Sequence, residues 1–220
     1  MRRPDPPWDD IFLILREFMK GFDLPSVSLI GEENGTPYKI LISTLISLRT
    51  RDEVTLTASR RLFRKADNPS DMRTLQSSEI EELIYPCGFF RVKAENILKI
   101  SDLILNKHDG KVPDKLEELI AFPGVGLKTA NLVLSLGFNI PAICVDIHVH
   151  RISNRMGWIK TKNPDDSVPA LEKILPEKYW IAINELLVLY GQQICTPRNP
   201  KCSQCPLSSM CRKTGVKQSR

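Results

Sequence analysis

Three features of this chain carry side chains able to do chemistry: a lysine after a glycine turn, an aspartate before a helix, and four crowded cysteines. Cys195, Cys202, Cys205 and Cys211 are spaced Cys-x6-Cys-x2-Cys-x5-Cys. Thiolates are soft ligands, and four held this close are a liability without a metal. The segment therefore predicts a bound metal ion or cluster. Spacing alone leaves zinc open, because structural zinc also takes four cysteines. The intervals are longer than those of two simple Cys-x2-Cys knuckles. Cys87 and Cys144, outside the segment, read as small buried apolar side chains.

Lys128 follows the string Phe122-Pro123-Gly124-Val125-Gly126-Leu127. Gly124 and Gly126 allow a tight turn with exposed amides, and Val125 between them can anchor it in a core. A helix that starts directly after such a turn offers N–H donors and a positive dipole end to an anion. Gly124, Val125, Gly126 and Thr129 thus form a candidate clamp for a nucleic-acid phosphate. A cation at a helix start opposes the dipole, so Lys128 is badly placed for helix stability alone. The same placement favours the neutral amine, the form required for attack on carbon and Schiff-base formation. Taken singly, the turn also reads as an ordinary helix connector and the lysine as solvated.

Asp146 stands between Ile143-Cys144-Val145 and Ile147-His148-Val149-His150-Arg151. It reads first as the N-cap of a helix. A capping side chain is held rigidly, and a rigid carboxylate can stabilise developing positive charge and assist a nucleophile. His148 and His150 lie two apart and point in different directions, so they make a poor metal pair. They read as structural, with His148 also a candidate phosphate contact.

These residues need elements to position them, and the pattern is helical almost throughout. Helical spacing covers 11–19 after a cap at Asp9 or Asp10, then Pro37 to Leu48, Asp52 to Lys65, and Phe90 to Asn106. Ser78 with Glu81 suggests a capping box for a short helix before Pro86. Shorter helices are expected at 114–121, 129–136, 147–155, 167–175 and 178–192. Residues 23–35 read as a loop and 138–145 as a connector, with 142–145 the one doubtful extended stretch. The fold class is all-α.

The 220 residues are 42% apolar and 26% charged, enough for a substantial core. No apolar run approaches the roughly 20 residues of a membrane span. The N-terminus has no apolar stretch of the secretory kind, so a cytoplasmic protein with reduced thiols is expected. The net charge is only +5. Arg49, Arg51, Arg60, Arg61, Arg64 and Lys65 form one basic group. Arg198, Lys201, Arg212, Lys213, Lys217 and Arg220 form another, with no acid beyond Thr196. Such groups suit a polyanion, although charge alone is equally met by solvated surfaces.

In combination, the hairpin string through Asn131, the Val145–Arg151 segment and the cysteine spacing resemble the endonuclease III family of helix–hairpin–helix DNA glycosylases. The run Gly88-Phe89-Phe90-Arg91-Val92-Lys93-Ala94 is similar to that family's Gly-x-x-x-x-Lys-Ala segment. The resemblance extends from about Tyr38 to Cys211. It implies two helical domains, a continuous six-helix unit over 30–140 with the helix–hairpin–helix and 1–29 plus 141–220 with the cluster loop, and an active site in the cleft between them. It implies a [4Fe–4S] cluster on the four cysteines, mainly structural, in a loop whose Arg198 and Lys201 face DNA phosphates. Lys128 matches the family's catalytic lysine and Asp146 its catalytic aspartate. The implied activity is that of a bifunctional glycosylase and abasic-site lyase removing oxidised pyrimidines from duplex DNA. The damaged nucleotide would be flipped out, the lysine would form a Schiff base, and β-elimination would cut the strand. The expected partner is double-stranded DNA with damaged bases or abasic sites, bound by a monomer associated with the nucleoid.

Lysine at 128 separates the chain from adenine glycosylases and from thymine-mismatch relatives, which carry other residues there. One position departs from the family pattern. Ile46-Ser47-Leu48-Arg49-Thr50-Arg51-Asp52 matches a segment that commonly reads Ser-x-Gln-x-x-Asp, whose glutamine is expected to fill the gap left by the flipped base. Here Arg49 would do so by stacking or hydrogen bonding, or would contact a phosphate. Two alternatives stand beside the main reading: a uracil or thymine mismatch glycosylase, and a non-catalytic zinc-containing DNA-binding module.

Overall fold

The computed structural model describes residues 5–220. Every regular element among them is helical. The doubtful stretch 142–145 is not a strand; it runs as a buried connector. The chain divides into two compact units. One is continuous, Pro25–Ala142, and the other joins the residues up to Leu24 to Ile143–Arg220. No described helix is long and apolar enough to cross a membrane.

The continuous unit contains α2 (Ser26–Glu32), α3 (Pro37–Ser47), α4 (Asp52–Lys65), α5 (Pro69–Arg73), α6 (Ser77–Ile84), α7 (Phe90–Lys107), α8 (Leu116–Ile120) and α9 (Leu127–Leu132). Helix α3 is its buried axis: Ile40, Leu41, Ile42 and Ile46 are solvent-inaccessible, and it packs on α2, α4, α7 and α9. Thr36 caps it, with Pro37 at the first turn. Helix α7 lays Ile97, Ile100 and Ile104 inward against α5 and α6. Helix α9 runs on as a π-helical turn, Val133–Gly137.

Several local expectations are corrected here. Residues 23–35 are not a loop, because they hold α2. Its start is satisfied by Asp52, whose carboxylate accepts from Ser26 N at 2.9 Å and Ser26 Oγ at 2.7 Å. A cap supplied from 26 residues away leaves no local signature. Helix α5 was not anticipated either; the Asn68 side chain caps it by accepting from Asp71 N at 3.0 Å. Helix α6 is capped by Gln76 and Glu79 rather than Ser78 and Glu81, with Gln76 N donating to Glu79 Oε2 at 2.8 Å.

The second unit contains α1 (Trp8–Met19), α10 (Ile147–Met156), α11 (Pro164–Glu172) and α12 (Ala182–Gln193). Both α1 and α10 pack on α12, and α10 also packs on α11. Helix α1 begins at Trp8 without a side-chain cap. Asp9 instead accepts from Lys178 Nζ at 2.6 Å and from the Tyr179 hydroxyl, which pins α1 to the far end of the sequence. Helix α11 starts at Pro164, before the expected 167, because Asn163 caps it. The expected helix 178–192 is broken: a 3-10 turn, Glu177–Tyr179, precedes α12. Beyond α12 the chain winds in turns and closes on itself. Ser203 N donates to Arg220 O and Arg220 N to Pro200 O, both at 2.9 Å.

Candidate active site

The turn between α8 and α9 is built as the glycines require. Gly124 has φ +78°, a conformation that L side chains rarely adopt. Val125 is buried, and its N–H donates to Phe122 O at 3.1 Å. Gly126 differs from Gly124: its backbone is extended, and a Cβ there would stand in open space. It is the N-cap of α9 and brings no side chain to the first amides of that helix. Lys128 is the second residue of α9 and is half-buried. Thr129 is 2% exposed, so its side chain belongs to the core and only its backbone lies near the helix start.

Asp146 caps α10. Its Oδ1 accepts from His148 N at 2.8 Å and Val149 N at 2.9 Å, and the residue is 9% exposed. Both bonds fall on one oxygen, so the carboxylate is fixed while its second oxygen carries neither. His148 is half-buried, with Nδ1 3.0 Å from Arg151 Nη2. A guanidinium can only donate, so His148 Nδ1 accepts. His150 Nδ1 lies 2.8 Å from Ser167 Oγ, inside a network with Asn154 and Thr161. His150 thus ties α10 to Thr161 and to Ser167 of α11, whereas the His148–Arg151 contact lies within α10.

The four cysteines of 195–211 line one cavity, together with Tyr190, Arg155, Ile152 and Met156 of α10, and Ile194 just beyond α12. No three His, Cys, Asp or Glu side chains among the described residues are placed to hold a single metal ion. All four thiols line the same cavity, and four cysteine thiolates are the ligand set of a [4Fe–4S] cluster. Burial pushes the Cys205 and Cys211 thiols up, and the neighbouring thiolates push the same way. Four half-buried thiols repel one another once ionised, and a cationic iron core removes that penalty. Donors to the sulfurs are already in place: the Tyr190 hydroxyl lies 2.9 Å from Cys205 Sγ, Arg155 Nη1 3.4 Å from Cys195 Sγ, and Lys213 N 3.3 Å from Cys211 Sγ. The residues present therefore fit a [4Fe–4S] cluster. Replacing Cys205 by serine is expected to remove more than about half of the broad visible absorption and to open the segment beyond Cys195 to proteolysis. An unchanged spectrum would remove Cys205 from the ligand set.

Arg198 is exposed and lines a groove of about 480 Å³ with Arg155 and Lys217. Lys201 is half-buried and lines the cysteine cavity instead. In the other unit, Arg49 is exposed with φ +53°, and its guanidinium sits over the Phe89 ring, 5.3 Å from the centroid.

Sequence reasoning missed Arg151, Arg155 and Tyr190. Arg151 donates from Nε and Nη2 to Cys195 O at 3.1 and 2.9 Å. Arg155 donates to Thr196 O at 2.7 Å and Pro197 O at 2.8 Å. Two arginines four apart on one helix face were a usable signal for a clamp, but their target was not.

The chain matches the family model described as HhH-GPD superfamily base excision DNA repair protein over residues 42–177. Residues 195–211 match the iron-sulfur binding domain of endonuclease III. It is 49% identical over 175 residues to the Endonuclease III of Thermotoga maritima, covering 80% of this chain and 82% of that one. It is 37% identical to Endonuclease III homolog 1, chloroplastic, of Arabidopsis thaliana over 94% of this chain, which spans 59% of that longer relative. A solved structure described as a non-covalent Endonuclease III–DNA complex superposes with a TM-score of 0.81 at 33% identity, covering 94% of this chain and 96% of that one.

Proposed function

Because the chain belongs to the endonuclease III family of HhH-GPD base excision DNA repair proteins, it is a DNA glycosylase and abasic-site lyase with a [4Fe–4S] cluster, and we propose that it removes oxidised pyrimidines from duplex DNA through Lys128. The observation that carries this reading is Lys128 at the second position of α9, directly after the Gly124–Gly126 turn. A flipped nucleotide presents its sugar carbon to the amine. The amine forms a bond to that carbon, and the base leaves with the electrons of the glycosidic bond. Asp146 stabilises the positive charge on the sugar as the base departs. Loss of a proton from the nitrogen opens the sugar ring at the C1′–O4′ bond, which gives the Schiff base and leaves O4′ as a hydroxyl. The Schiff base acidifies C2′, and loss of a C2′ proton expels the 3′ phosphate with the electrons of the C3′–O bond.

The other residues take positioning parts. The amides at the start of α9 and beyond Gly126 receive a phosphate, with the Thr129 contribution coming from its backbone. Arg49 fills the gap left by the flipped base. Arg198 faces phosphates, and the cluster supplies a rigid frame for the loop that carries it. The continuous unit acts as the hairpin-bearing domain and the other as the cluster domain. The enzyme works as a monomer at the nucleoid.

The two hairpin glycines should separate. Gly124→Ala strains a left-handed residue and is expected to cost about 1–2 kcal/mol of stability. Gly126→Ala meets no atom within the protein, so thermal stability should hold while duplex affinity falls about tenfold. A Gly126→Ala protein that binds DNA as well as the parent removes the phosphate clamp from this reading.

The substrate is tested with labelled duplexes carrying thymine glycol, dihydrouracil, uracil, a thymine–guanine mismatch or 8-oxoguanine, with and without borohydride. Release and trapping on thymine glycol and dihydrouracil are expected. Release confined to uracil or mismatched thymine, without trapping, would replace the reading by a mismatch glycosylase. No release from any duplex, with zinc at the cysteines, would leave a binding module.

A further inference from the structure

A closed polar cluster beneath Arg49 has no part in the chemistry above. Lys93, on α7, is 7% exposed. Its ammonium donates to Ile46 O at 2.6 Å, Leu48 O at 2.7 Å and Thr50 Oγ1 at 2.9 Å, which uses all three of its hydrogens. The Thr50 hydroxyl also accepts from Gly88 N at 3.2 Å. A Cβ on Gly88 would lie 2.5 Å from Arg49 O, so the chain entering α7 runs directly against the Arg49 backbone. On the outer side of this contact, Arg49 and Phe89 are both left-handed, φ +53° and +58°, and both exposed. Neither is a residue that favours this backbone, and their stacked side chains make few buried contacts that could impose it.

An ammonium buried here is expensive if only stability is at stake. An apolar side chain of similar volume would fill the same space without the desolvation, which pushes the Lys93 amine down to about 8. Every bond of the ammonium ends on the backbone at the close of α3 or on the hydroxyl beside Arg49. We propose that Lys93 is a positioning residue for Arg49: it fixes residues 46–50 so that the guanidinium is already aimed outward before DNA arrives. Thr50 transmits the hold to Gly88 and so to Phe89, which braces the guanidinium from the side. The proposal rests on Arg49 as the side chain that fills the gap.

The test is a double-mutant cycle on single-turnover base excision from a damaged duplex, using Lys93→Met, Arg49→Ala and the pair. Each single change is expected to slow excision about tenfold, and the pair no more than the slower single. A 2-aminopurine opposite the lesion reports the gap directly. Its fluorescence in the Lys93→Met complex should match that in the Arg49→Ala complex. Losses that multiply in the pair, or a Lys93→Met enzyme within about twofold of the parent, overturn the positioning role. An Arg49→Ala enzyme equal to the parent overturns the gap-filling reading and this proposal with it, and is recognised by that single result. If Lys93→Met does not fold, Thr50→Val removes one acceptor at constant volume. It should slow excision severalfold in the parent and have no effect in the Arg49→Ala background; an effect of equal size in both overturns the proposal.

Discussion

Replacing Lys128 by alanine is expected to lower single-turnover strand cleavage at an oxidised pyrimidine by about three orders of magnitude or more. The reason is chemical rather than structural. Lys128 is half-buried at the start of α9, and the core of that region is formed by Val125, Ala130 and Leu132 instead. Removing its amine should therefore leave melting nearly unchanged. A lysine that merely touched a phosphate would behave differently. Its loss would weaken binding uniformly and reduce the salt slope by about one, and saturating enzyme would restore the rate. A lost nucleophile cannot be restored by saturation. Lys128→Arg should fail as completely, because a guanidinium stays protonated and offers no lone pair. An alanine variant that recovers the parent rate at saturation would reduce Lys128 to a binding contact.

Asp146→Asn should separate capping from catalysis. The two amide bonds of the cap end on Oδ1, and an asparagine oxygen accepts them equally well. Stability should change by less than about 1 kcal/mol. The carboxylate charge is lost, and with it the stabilisation of the sugar cation, so excision should slow about 10²- to 10³-fold. Asp146→Ala should lose the same rate and, in addition, about 0.5–2 kcal/mol of stability from the missing cap. An asparagine variant with full turnover, measured as single-turnover base release, would make Asp146 a cap and nothing more.

What the sequence revealed of this site was what is encoded locally. Gly124 sits where the chain needs a left-handed residue, Asp146 where a helix begins, and the cysteines where four ligands share one short loop. Each is a statement about neighbours a few residues apart. The major helices were legible for the same reason, since apolar periodicity is local. What escaped was set by distant partners. Helix α2 is completed by Asp52, the cysteine loop is clamped by Arg151 and Arg155 from 40 or more residues upstream, and Lys93 closes on carbonyls 45 and 47 residues away. Asp9, a natural cap by position, is drawn instead to Lys178 and Tyr179. Position alone places Thr129 in the phosphate clamp, but its burial leaves only its amide for that purpose.

The departure at Arg49 also changes meaning once its surroundings are known. The resemblance presents it only as arginine where the matching segment commonly has glutamine. Its left-handed backbone, its stacking on Phe89 and the buried ammonium beneath it place it in a built support rather than on a free loop. A longer side chain needs more restraint to reach the same gap, because more rotamers must be fixed.

The central claim, that Lys128 becomes covalently joined to the sugar of the damaged nucleotide, is tested most directly by mapping the bond. The enzyme is incubated with a thymine glycol duplex and borohydride, digested, and the nucleotide-bearing peptide sequenced by mass spectrometry. The account predicts one modified residue, Lys128, at close to full occupancy. A reduced adduct on any other amine, or parent enzyme that releases the base without forming an adduct, would contradict it.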